Sequence, residues 1–285
     1  MKDYIALTKP RITWLILMST GVGYFFGAQS RVPGWHWFTL LHTILGTGLI
    51  ASGTAALNQW YEREADSKMK RTQARPLPAG RIDAGRALLF AIAISVAGFV
   101  ELWFGANPLC ALLGLVTLLT YLFVYTPLKQ RSPHSTTIGA IPGAMPPLIG
   151  YAAASGTLTA EAWVLFAILF LWQFPHFYAI AWMYREDYER AGIRMLPVVE
   201  PDGNSTAWQI LFYSLTLIPI SLMPRFFAMT GNLYVFGAML LGAFFLYAGW
   251  KVMFNRTRQQ ARAVLLASVV YLPVLYGLML LDRPR

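Results

Sequence analysis

The chain is a succession of long apolar runs separated by short polar segments. Each run is close to the ~20 residues a helix needs to cross a bilayer core. Nine spans are expected, at roughly 12–29, 37–60, 84–105, 108–126, 136–154, 161–184, 207–224, 232–253 and 263–281. Only "GANP", a tight turn, separates the third from the fourth, and Pro219 and Pro273 fall inside the seventh and ninth. The pattern predicts an all-α, polytopic membrane helical bundle of nine transmembrane helices, with residues 1–285 forming one membrane-embedded domain.

Composition agrees. Of 285 residues, 56% are hydrophobic and 13% are charged, against about 25% charged in a soluble protein. Aromatic residues reach 15%, and Trp and Tyr favour membrane interfaces. The single cysteine, Cys110, excludes an intrachain disulfide framework and CxxC metal motifs; packing is its expected role. The N-terminal "MKDYIALTKPRITWLIL" is basic and then apolar, but no small-residue cleavage site stands out, so it is expected to stay as the first helix. No Arg/Ser-rich transit extension precedes it, and a bacterial plasma (inner) membrane is the expected location.

The net charge is +10, and its placement decides its meaning. With nine spans, 19 of the 23 bases fall on the side of the N-terminus. The other side holds only Arg31, Arg225, Arg283 and Arg285. This asymmetry predicts a cytoplasmic N-terminus and an outside C-terminus. The positive charge is therefore topology, and no nucleic-acid partner is expected. Acids gather on the same side, in the loops after spans two and six, although the positive-inside rule does not ask for them there.

The second span runs into "NQWYEREADSKMKRTQARPLPAGR", residues 58–81. At about 100° per residue, Asn58, Glu62 and Asp66 form one polar stripe that drifts only about 80° around a helix. Glu64 points away from it. Two carboxylates and an amide in a row make an oxygen-rich site of the kind Mg²⁺ shares with substrate phosphates. Lys68, Lys70, Arg71 and Arg75 follow and could clamp phosphate charge. The plainer alternative is a solvated helix end with local ion pairs. A second acidic segment, "HFYAIAWMYREDYERAGIRMLP", follows span six on the same face. Two acidic helix ends facing one cavity could hold Mg²⁺ across a diphosphate.

The spacing N-x-x-x-[DE]-x-x-x-D after the second helix, the acidic end after the sixth, and "YTPLK" (Tyr125–Lys129) after the fourth resemble the UbiA family of membrane prenyltransferases. The longer strings "LTKPRIT", "GAMPPLIGY" and "LWQFPHFYAIAWMYREDYERAGIRMLPVV" are similar to those of its heme-farnesylating members. The resemblance implies transfer of the farnesyl group of farnesyl diphosphate to the 2-vinyl group of protoheme IX, with water addition, giving heme O and diphosphate. It implies Mg²⁺ as cofactor, with heme a substrate. Asn58, Glu62, Asp66, Asp187, Lys129 and Tyr125 match the family's catalytic motifs, with Glu62, Asp66 and Asp187 as metal ligands. Lys68, Arg71 and Arg75 are substrate contacts by charge and position, and Gln173 and His176 lie in the heme-type run 173–177. Met183 stands where the family's second motif usually has a carboxylate, leaving the second ion to Asp187, Glu186, waters or no site at all. Implied partners are farnesyl diphosphate, protoheme IX, membrane lipid, and a heme A synthase or terminal oxidase assembly.

Of the four histidines, His176 is singled out by its place inside an apolar helix. On a continuous helix it lies about 20° from the face of Asp187 and about 16 Å deeper. That predicts a cavity position near heme or the farnesyl carbon, against the alternative of a helix–helix hydrogen bond. Two other functions stay open: a UbiA-type aromatic prenyltransferase of quinone biosynthesis, and a non-catalytic heme or lipid carrier. A carrier has no need of paired acidic segments.

Overall fold

The structure is a computed structural model that describes residues 1–29 and 36–283. Arg31 and Arg285, two of the four bases expected on the sparse side, lie outside the described residues. The described residues contain helices and no strand. A short helix α1 (Lys2–Leu7) leads into α2 (Pro10–Gln29) and α3 (Trp37–Tyr61), and α4 (Arg63–Lys68) continues from α3. Then come α5 (Ala84–Gly105), α6 (Pro108–Leu119), a π-helical segment (Thr120–Tyr125) and α7 (Thr126–Leu128). The middle of the chain holds α8 (Ser135–Gly143), α9 (Pro146–Ser155), α10 (Ala160–Met183), α11 (Arg185–Arg190) and α12 (Leu196–Val199). The chain closes with α13 (Asn204–Phe226), α14 (Asn232–Phe254) and α15 (Arg258–Leu281).

Among the described residues, seven helices are long and apolar enough to cross a membrane: α3, α5, Pro108–Leu128, α10, α13, α14 and α15. The expected first span falls in α2. The expected fifth span, 136–154, is not one helix. It breaks after Gly143 because Pro146 and Pro147 have no N–H to give the carbonyls one turn back. The fourth span carries its own irregularity. Pro127 cannot donate to the carbonyl of Phe123, and the helix widens just before it, with the Thr126 N–H donating to Tyr121 O.

Small residues let the helices approach. α2 packs along α9, where a Cβ on Gly150 would sit 1.9 Å from Thr20 O and one on Gly23 2.0 Å from Pro147 O. Only glycine permits that backbone contact, as expected where packing rather than hydrophobicity joins membrane helices. α10 touches α8 and α9 on one side and α13 and α15 on the other, so it joins the two halves. The main core, including Tyr151, Phe174, Tyr271 and Leu275, runs through these helices. Cys110 is fully buried in it.

A separate cluster positions the polar loops. Ala65 and Met69 after α3 pack with Ala181, Tyr188, Ile193 and Met195 around α11. Full burial of side chains such as Met69 and Ile193 is worth about 1.5–3 kcal/mol each, so the two acidic segments are held at one end of the bundle. The Arg194 N–H donates to Lys129 O at 2.9 Å and brings in the "YTPLK" loop as well.

Candidate active site

The polar stripe survives a break in its helix. α3 ends at Tyr61, and Glu62 (φ −87°, ψ 5°) is the hinge to α4. Glu62 N still donates to Asn58 O at 2.9 Å, and Asp66 N to Glu62 O at 2.8 Å. These bonds preserve the four-residue step across the hinge. Asn58, Glu62 and Asp66 are 2%, 5% and 1% exposed, whereas the Glu64 side chain is 86% exposed. The stripe is thus an inward surface and Glu64 faces water.

Each buried acid of the stripe is held by a base. Lys129 Nζ lies 2.8 Å from Glu62 Oε1, and Arg75 Nη1 2.6 Å from Asp66 Oδ2. Lys129 also sits over the Tyr125 ring, 5.5 Å from its centroid. The Asn58 amide donates to Thr126 Oγ1 at 3.2 Å, and its oxygen accepts from Lys9 Nζ at 3.4 Å. Burial alone would raise the Glu62 carboxyl; Lys129, then Lys9 and Arg75, hold it below the ordinary value. Burial also disfavours the charge on Lys129, but Glu62 outweighs it and keeps the ammonium well above its ordinary value. Lys9 goes the other way. Burial, with Arg75 and Lys129 close by, lowers it to about 8 despite Glu62 and Asp66.

Asp66 Oδ1 is buried and has no hydrogen-bond partner. A buried carboxylate oxygen without a donor is rare and suits a cation ligand. Hard oxygen donors of this kind fit Mg²⁺. The expected three-carboxylate set is nevertheless not gathered: among the described residues, no group of three His, Cys, Asp or Glu is placed to hold a metal ion. Asp187 is engaged otherwise. It accepts from the backbone N–H groups of Lys70 (3.3 Å) and Arg71 (3.4 Å) and pairs with Arg190. The Arg71 guanidinium donates to Tyr188 OH at 3.1 Å and lies over the rings of Tyr184 and Tyr188. Asp187 and Arg71 therefore tie the first basic loop to the second acidic segment. Lys68 is exposed and joins none of these pairs.

Two expected residues lie elsewhere. Gln173 donates to Ala140 O at 3.0 Å and Leu169 O at 3.2 Å, tying α10 to α8 beside the break. His176 Nδ1 lies 2.8 Å from Ser268 Oγ on α15, with the ring stacked on Trp172. This is the helix–helix bond weighed as its alternative. The 20° alignment with Asp187 was drawn on one continuous helix, whereas α10 ends at Met183, Tyr184 (φ −119°, ψ 23°) is a hinge, and Asp187 belongs to α11. Sequence reasoning missed Lys9, Thr126, Tyr184, Tyr188 and Arg190. The signal for Lys9 was present: a lysine wedged before Pro10, whose backbone takes φ +47°.

The UbiA prenyltransferase family profile matches residues 16–272. The chain belongs to that family. It is a prenyltransferase and a multi-pass membrane protein. It is 66% identical, over all of its own length and 99% of the relative's, to the protein named protoheme IX farnesyltransferase in Solibacter usitatus (strain Ellin6076). Solved structures share the fold at low identity. A digeranylgeranylglyceryl phosphate synthase superposes with a TM-score of 0.81 at 16% identity, covering 99% of this chain and 97% of that one. A UbiA homolog from Archaeoglobus fulgidus bound to GPP and Mg²⁺ gives 0.64 at 16% identity, covering 97% of this chain and 99% of that one.

Proposed function

We propose that this chain transfers the farnesyl group of farnesyl diphosphate to the 2-vinyl group of protoheme IX, forming heme O. The observation that carries the reading is the full-length 66% identity to a protein of that name, and the buried acid–base cluster supports it. In the reaction the bond between farnesyl C1 and the diphosphate oxygen breaks, and the electron pair leaves with diphosphate. The terminal vinyl carbon bonds to C1. The resulting cation beside the porphyrin ring takes water and loses a proton, leaving a hydroxyethylfarnesyl side chain.

Charge develops on the diphosphate, so fixed cations there lower the barrier. Lys129, Arg75 and Lys9 supply them, each already aimed at the stripe. Arg71 is close by, and Lys68 adds charge at the rim. Tyr125 backs Lys129. Mg²⁺, when bound, would neutralise diphosphate oxygens as a Lewis acid. Asp66 and Glu62 would hold it with the Asn58 oxygen, while Asp187, which the resemblance offers as a further ligand, is held by backbone N–H groups and would instead fix the loop that carries Arg71. Gln173 and His176 border the acceptor side on this reading. We also place all 285 residues in one domain with nine crossings, a cytoplasmic N-terminus and an outside C-terminus, in a bacterial plasma membrane. The product would pass to a heme A synthase or a terminal oxidase assembly. Expression in membranes that lack heme O, followed by heme extraction and mass analysis, tests the function. A farnesylated, hydrated heme is expected; unchanged protoheme, or a prenylated phenolic product, would overturn it.

A further inference from the structure

A second polar cleft adjoins the carboxylate cluster on its α1 side. It has a volume of about 410 Å³ and is lined by four cations, Lys9, Arg71, Arg75 and Arg81, with the Gln59 amide and an apolar lip at Ile12. No carboxylate lines it. Gln59 lies about 100° around α3 from Asn58 and donates to Leu7 O at 2.8 Å, so the cleft is behind the stripe. Two of the cations have acid partners beyond the cleft: Arg75 pairs with Asp66, and Arg81 with Asp3 at 2.9 Å. Lys9 and Arg71 have no carboxylate within ion-pair distance among the described residues.

Four cations facing one small volume repel one another, and an anion there relieves that repulsion. Guanidinium forks match phosphate oxygens in geometry as well as charge. The cleft also touches the apolar surface: Ile12 in its lining is 55% exposed. Two of its residues belong to both sites, since Lys9 reaches Asn58 and Arg75 reaches Asp66. The positive charge of the cleft is therefore continuous with that of the cluster.

We propose that this cleft is a second phosphate-binding site, joined to the carboxylate cluster through Lys9 and Arg75, that takes either the released diphosphate or the phosphate headgroup of an anionic membrane lipid. The inference rests on the proposed chemistry only for the origin of the diphosphate. Its test needs no heme conversion, so the two can fail separately.

The test uses the full chain in nanodiscs, its cluster occupied by unreactive farnesyl thiodiphosphate. One arm measures binding of inorganic diphosphate. The other compares thermal stability in phosphatidylglycerol and phosphatidylcholine discs. Three variants are used. Arg81→Gln removes a cation, Ala74→Glu brings a negative charge to the cleft and leaves the Arg81–Asp3 pair intact, and Asp3→Asn frees Arg81 from its partner. Arg81→Gln and Ala74→Glu are expected to weaken the anion roughly tenfold or more, the scale of one charge-assisted hydrogen bond, while Asp3→Asn binds it as tightly as the parent or tighter. Loss confined to diphosphate assigns the released product. Loss confined to the phosphatidylglycerol effect assigns the lipid. Unchanged binding in both arms overturns the proposal. So does equal weakening by Arg81→Gln and Asp3→Asn, which would make their pair a structural latch only.

Discussion

The two acidic segments look alike in sequence and differ in how their oxygens are held. In the first, Glu62 and Asp66 are paired with long side chains, Lys129 from the loop after the fourth span and Arg75 nine residues on. One oxygen of Asp66 has no partner at all. In the second, Asp187 holds backbone N–H groups of the 69–72 loop and an arginine three residues on. A long side chain can swing aside for a ligand; a backbone N–H cannot. The first segment is an exchangeable acid–base set, whereas the second is a clamp that fixes the loop carrying Arg71. Motif resemblance treats both as metal ligands. The geometry separates them by the donors each would have to release.

That contrast is broken most directly at Asp66. Asp66→Asn keeps the shape, the contact with Arg75 and the buried position, and removes the charge. We expect at least ~10²-fold loss of kcat/KM, the scale of removing one group that stabilises transition-state charge. Size-exclusion and circular-dichroism profiles should match the parent. Asp187→Asn should cost less in kcat and act mainly on KM, because the loop loses an anionic anchor for two N–H groups. Amide exchange over residues 69–72 should quicken in that variant and stay unchanged in Asp66→Asn. Equal kcat losses with no change in exchange would mean that Asp187 is a metal ligand like Asp66 and not a clamp.

A smaller effect concerns pH. Lys9 is lowered to about 8, first by burial and then by Arg75. Below that pH, folded and unfolded chains both carry its proton. Between about 8 and the ordinary lysine value near 10.5, the folded chain has lost it and the unfolded chain has not. The contribution of this group to stability therefore rises with pH across that window. Binding of the diphosphate substrate should do the opposite and weaken above about pH 8, since a cation is lost. Lys9→Arg should remove that alkaline limb, because arginine stays charged. An unchanged limb would assign it to another group. Glu62 has the reverse sign: its carboxyl is held low, so its contribution is present at neutral pH and fades as pH falls through its folded value.

The difference between the two segments was only partly legible in the sequence. The four-residue step of Asn58, Glu62 and Asp66 was, because backbone bonds keep it across the hinge at Glu62. The hinge at Tyr184 was not legible: a wheel drawn from His176 to Asp187 assumed one helix, and α10 ends at Met183. The proline-rich "IPGAMPP" at 141–147 carried the signal for the break in the fifth run, yet apolar character alone made it look continuous. The pairs Lys129–Glu62, Arg75–Asp66 and Lys9–Asn58 join loops up to 67 residues apart. Local pattern cannot supply such pairs; they follow from how α1, α3, α7 and the 69–81 segment meet at one end of the bundle.

The smallest expected effect is the one that isolates direction from charge. Glu64 lies between Glu62 and Asp66 in sequence and carries the same group. Its side chain is 86% exposed, and its one ion pair, with Arg63 at 3.7 Å, is at the surface. An exposed pair of this sort is worth about 0–1 kcal/mol, and α4 does not need it to pack. Glu64→Gln should leave Mg²⁺-dependent turnover within about twofold of the parent, a change of about 0.4 kcal/mol that lies inside the range of such a surface pair. The variant also removes one negative charge from the same loop, as Asp66→Asn does. A purely long-range electrostatic account of the acidic segment would therefore predict similar losses from both. Orientation predicts a difference of about two orders of magnitude. Matched turnover assays on the two variants at equal ionic strength decide between them, and a large loss at Glu64 would show that the loop's net charge, not the buried face of the stripe, sets the activity.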